Sequence, residues 1–107
     1  MSKLNLPPNP KLQDFQKYVS EMVAERGFDK ISMPEMFMLL QEECGELAKA
    51  ARKDTKLKND ENSDKHHIAY EAADVFILLV DICNYFDIDL EEAFRDKEEI
   101  NKTRTWN

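Results

Sequence analysis

The stretch Glu71–Phe86, EAADVFILLVDICNYF, constrains the fold more than any other part of the chain. It is the most apolar run, yet it carries Glu71, Asp74 and Asp81. At about 100° per residue, Glu71, Asp74, Leu78, Asp81 and Tyr85 fall along one side of a helix. The other sides are Ala72, Val75, Phe76, Ile77, Leu79, Val80, Ile82, Cys83 and Phe86. A helix apolar around almost its whole circumference belongs in a centre, not on a surface. Carboxylates are rarely buried without a partner, because taking an ion out of water is costly. The pattern therefore asks for a central helix with cations beside its acidic line.

The rest of the chain fits a small all-α protein. Its 107 residues suffice for one small domain, 1–107, and no more. Only 2 Gly and 4 Pro, with 35% charged residues, favour long helices and few turns. β-branched residues cluster inside the central segment without alternating, so no strand is expected. A net charge of −7 argues against a nucleic-acid polymer as partner. Val75–Val80 is bounded by Asp74 and Asp81, far short of the ~18 apolar residues of a membrane span. No basic-then-apolar leader opens the chain. Cys44 and Cys83 fall on apolar faces of predicted helices and read as reduced core thiols of a cytoplasmic protein.

Taken in order, residues 1–8 read as a flexible arm. Asn9 caps a first helix running from about Pro10 to Arg26, with Leu12, Phe15, Val19, Met22 and Val23 as its buried stripe and Gly27 ending it. Ser32 and Glu35 form a capping box for a second helix that reaches about Lys53. Its apolar stripe is expected along Met36, Phe37, Leu40, Cys44, Leu47 and Ala51. With Leu40 as centre, Glu43 lies about 60° to one side and Glu46 about 120°, edging the core, while Glu42 faces solvent. Gly45 interrupts this helix, through close helix approach, space for a ligand, or simple tolerance. Residues 54–63 read as a polar loop carrying Lys56 and Lys58, and Lys53 precedes it. The third helix spans about Lys65–Tyr85, capped by Ser63 or Asp64. His66 and His67 in its first turn point about 100° apart and do not share one metal easily. Asp89 and Glu92 form a second capping box for a fourth helix that runs to about Thr103. Its apolar contacts are Leu90, Ala93, Phe94 and Ile100, followed in nearly the same line by Lys97, Asn101 and Arg104. That cation–amide–cation line is either a phosphate-binding edge or an exposed charged tail. Trp106 has three readings by chemistry: packed on a neighbour, stacked on a base, or free.

Two helices each carry acids at i, i+3: Glu43 with Glu46, and Glu71 with Asp74. That spacing puts both carboxylates of a pair on one side of their helix. Antiparallel packing of the second and third helices would bring all four together. Four anions in one cleft repel unless hard cations sit between them, and an all-oxygen set selects Mg²⁺ or Mn²⁺ over zinc. Mg²⁺ keeps waters and bridges to phosphates, which points to phosphoanhydride or phosphate-ester chemistry. Acids at i, i+3 are also common on charged helices without any function.

The block QEECGELAKAARK, a variable loop, and YEAADVFILLVDICNYFDIDLEEA together resemble the MazG-like nucleotide pyrophosphohydrolases of the all-α nucleoside triphosphate pyrophosphatase superfamily. The resemblance covers roughly Pro34 to Arg104. Its ExxE and ExxD motifs fall on Glu43, Glu46, Glu71 and Asp74. It implies a bundle of four to five helices completed by oligomerisation as a homodimer or homotetramer. It also implies Mg²⁺-dependent cleavage of a nucleoside triphosphate between the α- and β-phosphates, giving monophosphate and pyrophosphate. Glu43, Glu46, Glu71 and Asp74 would then be metal ligands and catalytic acids, with Lys97, Asn101, Arg104 and Lys53 on phosphates. Related enzymes that hydrolyse dUTP, dCTP or phosphoribosyl-ATP use a similar helix pair. A non-catalytic dimerisation module, its acids paired with a partner's lysines, is the rival from another class. A di-iron bundle fits poorly, because Glu-x-x-His pairs are missing.

Overall fold

The computed structural model describes residues 2–56 and 64–104. Within them the chain forms four α-helices: α1 (Leu12–Arg26), α2 (Met33–Lys56), α3 (Asp64–Tyr85) and α4 (Leu90–Lys102), with a short 3-10 turn at Phe28–Lys30. Among the described residues there is no strand, so the architecture is all-α. The expected loop positions 57–63, the Ser63 cap and Trp106 lie outside the described residues.

The helix ends follow from capping chemistry. The first helix starts at Leu12, later than expected, because Asn9 takes a left-handed φ of 57° and cannot lead directly into a helix. Lys11 is the N-cap, and its N–H donates to the Asp14 carboxylate at 2.8 Å. Gly27 closes the helix at φ 76°, a conformation that suits a residue without Cβ. At the start of α2 the Glu35 N–H donates to the Ser32 hydroxyl at 3.3 Å, and that hydroxyl donates to the Glu35 carboxylate at 2.8 Å. The helix runs through Lys56, beyond the expected end at Lys53, so residues 54–56 are helical and not loop. The end of α3 is a Schellman motif: Ile88 N–H donates to Cys83 O at 2.8 Å and Asp87 N–H to Asn84 O at 3.1 Å. Asp87 fills its left-handed position at φ 56°. Asp89 then caps α4 by accepting from Glu92 N–H at 3.0 Å.

The chain divides into two compact units, Met1–Asp29 with Val80–Asn107, and Lys30–Leu79. In the first, α1 packs against α4. Its buried side chains are Val19, Met22 and Val23 of α1 and Val80, Ile82 and Cys83 of α3. Leu12 and Phe15 are half-buried, so the expected α1 stripe holds. The Gln16 side chain ties α1 to the α3–α4 turn. Its amide donates to Asn84 Oδ1 at 3.0 Å and Ile88 O at 2.8 Å, and its carbonyl accepts from Leu90 N–H at 2.9 Å. Of the expected apolar contacts along α4, Ala93, Phe94 and Ile100 are exposed in the single chain and Leu90 is half-buried.

The second unit holds α2 and the first part of α3. Here the inward stripe of α2 is Met36, Leu40, Glu43, Leu47 and Ala50, spaced by four and three. Phe37, Cys44 and Ala51, expected inside, are exposed. The helix is thus turned so that Glu43 lies within the stripe and not at its edge. The run MFMLL is apolar at every position, so it does not choose a face by itself. Cys83 is buried, and burial pushes its thiol up in pKa; Cys44 is an exposed free thiol, not a core one. No helix among the described residues is long and apolar enough to cross a membrane.

Candidate active site

Glu43 of α2 and Glu71 and Asp74 of α3 converge within the second unit. Each offers a carboxylate oxygen, and these atoms lie within 4.8 Å of one another. Glu43 comes inward because it replaces an apolar residue in the α2 stripe. Glu71 and Asp74 come together because i, i+3 positions share a helix side. Glu43 and Glu71 are half-buried and Asp74 is exposed, so the group grades from interior to solvent.

The electrostatics record the crowding. Burial comes first in raising the Glu43 pKa above the ordinary carboxylate value. The adjacent Glu71 carboxylate and the negative charges of Asp74 and Glu42 push it the same way. Glu71 is the most constrained member. Its Oε2 is buried and has no hydrogen-bond partner among the described residues. Its Oε1 lies 3.8 Å from His67 Nε2, one helical turn earlier. A buried acceptor without a donor is costly unless something positive meets it. Three carboxylates with an unpaired inner oxygen suit a hard divalent cation, which takes oxygen ligands. The residues present therefore fit such an ion.

The other expected site residues are placed differently. Glu46 is exposed on α2 and falls outside the three-carboxylate group. Lys53 is exposed ten residues beyond Glu43, roughly 15 Å along the same helix. Lys97 and Arg104 are exposed and Asn101 half-buried, all in the first compact unit. A Cβ added at Gly45 would meet nothing within 4 Å, so close approach of another described element does not account for that glycine. Asp81 is half-buried on α3; its carboxylate makes no hydrogen bond or ion pair among the described residues, and burial raises its pKa. The contact of His67 with Glu71 was not part of the sequence expectation. The i, i+4 spacing that produces it was visible there.

A sequence profile of the phosphoribosyl-ATP pyrophosphohydrolase family matches residues 12–101. The chain belongs to this family. The matched span contains all three clustered carboxylates, Glu46, and every expected phosphate-contacting residue except Arg104. Over 44 residues the chain is also 43% identical to a dATP/dGTP diphosphohydrolase of Cyanophage S-2L. That match covers 41% of this chain and 42% of the phage protein. Membership agrees with the MazG-like resemblance read from the motifs, and both names are those of hydrolases of nucleotide pyrophosphate bonds.

Proposed function

We propose that the protein is a Mg²⁺-dependent nucleotide pyrophosphohydrolase, with Mn²⁺ as a possible substitute. Water attacks in line at a phosphorus of the α–β anhydride of a nucleoside triphosphate, the bond from that phosphorus to the bridging oxygen breaks, and nucleoside monophosphate and pyrophosphate leave with release of a proton. The observation that carries this reading is the Glu43–Glu71–Asp74 convergence with its unpaired, buried Glu71 oxygen. The divalent cation, when bound, would neutralise charge that develops on the phosphate oxygens. Glu43, Glu71 and Asp74 would hold it. Glu46, exposed on the same helix, would be the fourth acid, a further ligand and catalytic group at the edge of the site. Lys97, Asn101 and Arg104 would contact phosphates, with Lys53 as a weaker candidate given its place along α2. The name of the phage relative favours purine deoxynucleoside triphosphates as first substrates to test, and the family name favours phosphoribosyl-ATP as the second.

The same reading has the chain 1–107 act as a single cytoplasmic domain in a homodimer or homotetramer. Phe37, Met38 and Leu39 on α2, and Phe94 and Ile100 on α4, are large apolar side chains left exposed in the single chain. A second copy of the chain would cover them. Light scattering after size exclusion tests the assembly, and a monomer at micromolar concentration would remove it.

The deciding experiment scores pyrophosphate release from dATP, dGTP, other nucleoside triphosphates and phosphoribosyl-ATP, with Mg²⁺ and with EDTA. Glu71→Gln keeps the shape and loses the charge. It should abolish Mg²⁺-dependent release and leave the helical circular dichroism spectrum intact. Activity that survives both EDTA and Glu71→Gln would refute the proposed site.

A further inference from the structure

We infer that His67 is the positioning residue for Glu71, holding its outer oxygen so that the inner one stays aimed into the carboxylate group. The inference rests on the metal site proposed above and adds a residue to it. Three observations lead there. His67 lies one turn before Glu71 on α3, and its Nε2 is 3.8 Å from Glu71 Oε1. The Glu71 side chain is 14% exposed against 54% for His67, so the imidazole stands on the solvent side of an almost enclosed carboxylate. The other Glu71 oxygen, Oε2, is buried and unpartnered. The two oxygens thus differ: Oε1 lies 3.8 Å from the ring, and Oε2 is buried with no hydrogen-bond partner among the described residues.

A glutamate side chain has several rotatable bonds, and a ligand that wanders among rotamers binds a cation less well than one already in place. An imidazole N–H restrains it without the drawback of a lysine or arginine. A permanent cation beside Glu71 would neutralise the charge that a divalent ion needs. An imidazole nitrogen that bears hydrogen donates without being a permanent cation. The present separation is about 0.8 Å longer than a hydrogen bond, a gap closed by a small side-chain rotation or by one bridging water. His67 is a positioning residue under this reading, since it touches Glu71 and neither substrate nor cation.

The test compares His67→Ala, His67→Gln and Glu71→Gln with the parent protein. Two readouts are used: the thermal shift produced by Mg²⁺ alone, and the Mg²⁺ concentration giving half-maximal pyrophosphate release at saturating nucleotide. His67→Ala should need about 10-fold more Mg²⁺ in both, the lower end of what outer-shell partners of metal ligands contribute. Its kcat at saturating Mg²⁺ should stay within about twofold of the parent, because the ligands themselves are unchanged. His67→Gln keeps an N–H donor and should recover most of the loss. Mg²⁺ midpoints within twofold of the parent for His67→Ala overturn the inference, and so does an equal loss in His67→Ala and His67→Gln. If Glu71→Gln abolishes the Mg²⁺ shift while His67→Ala leaves it intact, only the role of His67 fails. If Glu71→Gln keeps the parental Mg²⁺ shift, the metal site itself fails.

Discussion

Replacing Gln16 with alanine should cost the protein far more than an average polar-to-alanine change on a helix. The side chain makes three hydrogen bonds, at 3.0 Å to Asn84 Oδ1, 2.8 Å to Ile88 O and 2.9 Å from Leu90 N–H. The Asn84 and Leu90 bonds are partly buried, and the Ile88 bond is exposed. Water replaces the exposed bond at little loss. The partly buried ones are worth about 1 kcal/mol each, since the groups left behind are imperfectly hydrated. The Leu90 N–H is in addition one of the helix-start donors with no partner inside α4. The sum is about 2 kcal/mol, or roughly 8 °C in Tm for a chain of this size. The assay is urea and thermal unfolding by circular dichroism at one fixed protein concentration, so that any assembly affects both proteins alike. The bond from Asn84 Nδ2 to the Gln16 backbone, at 2.9 Å, survives the change and should prevent complete detachment of the turn. A cycle with Asn84→Ala should give a coupling of at least 0.5 kcal/mol in order of magnitude. A loss for Gln16→Ala below about 0.5 kcal/mol, with no coupling to Asn84, would show that the turn holds its place on α1 without the staple.

Three further outcomes are expected. Asp87→Gly relieves a Cβ in the left-handed position that ends α3, and should add about 0.5 kcal/mol in urea unfolding after the entropy cost of glycine. Asp81→Asn should raise Tm at neutral pH. Burial lifts the Asp81 pKa, so the unfolded chain gives up its proton first as pH climbs; stability is lost from the ordinary carboxylate range up to the lifted value, and the gain from asparagine should vanish below that window. Glu43→Gln should stabilise the metal-free protein by the same sign, because burial and its carboxylate neighbours penalise ionised Glu43, yet it should weaken the Mg²⁺ thermal shift; a variant that loses stability without Mg²⁺ would contradict the crowding.

Helix boundaries were legible because caps are local. Ser32 with Glu35, Asp89 and Gly27 all act within a few residues of themselves, and each appears where its chemistry predicts. The start of α1 was misplaced for an equally local reason, as Asn9 takes a left-handed turn in place of a cap. Face assignment was harder. For α1 the apolar positions are few and their spacing settles the stripe. For α2 and α4 the apolar residues run around the helix or exceed what one chain covers, so Phe37 and Cys44, expected inside, and Phe94 and Ile100, expected as apolar contacts, are exposed. The convergence of Glu43, Glu71 and Asp74 is legible from the paired i, i+3 motifs, whereas the central place of Glu43 in the stripe depends on the rotation of α2 that MFMLL leaves open.

That rotation carries a chemical consequence within the proposed function. Turning α2 brings Glu43 into the stripe and leaves Glu46 exposed about 60° from it, so the four acids fall into an inner pair, Glu43 and Glu71, and an outer pair, Asp74 and Glu46. Inner carboxylates have lost water and regain stabilisation from a cation, which makes them the stronger determinants of metal affinity. Outer carboxylates keep their hydration and hold the site open to water, the second reactant in hydrolysis. A fully buried set of four would bind a cation more tightly and admit no nucleophile, and a fully exposed set would gain little from binding one. Substitution at Glu43 or Glu71 should therefore act mainly on the Mg²⁺ requirement. Substitution at Glu46 should act mainly on kcat at saturating Mg²⁺, and a variant of Glu46 that shifts only the Mg²⁺ midpoint would reverse the order of the two pairs.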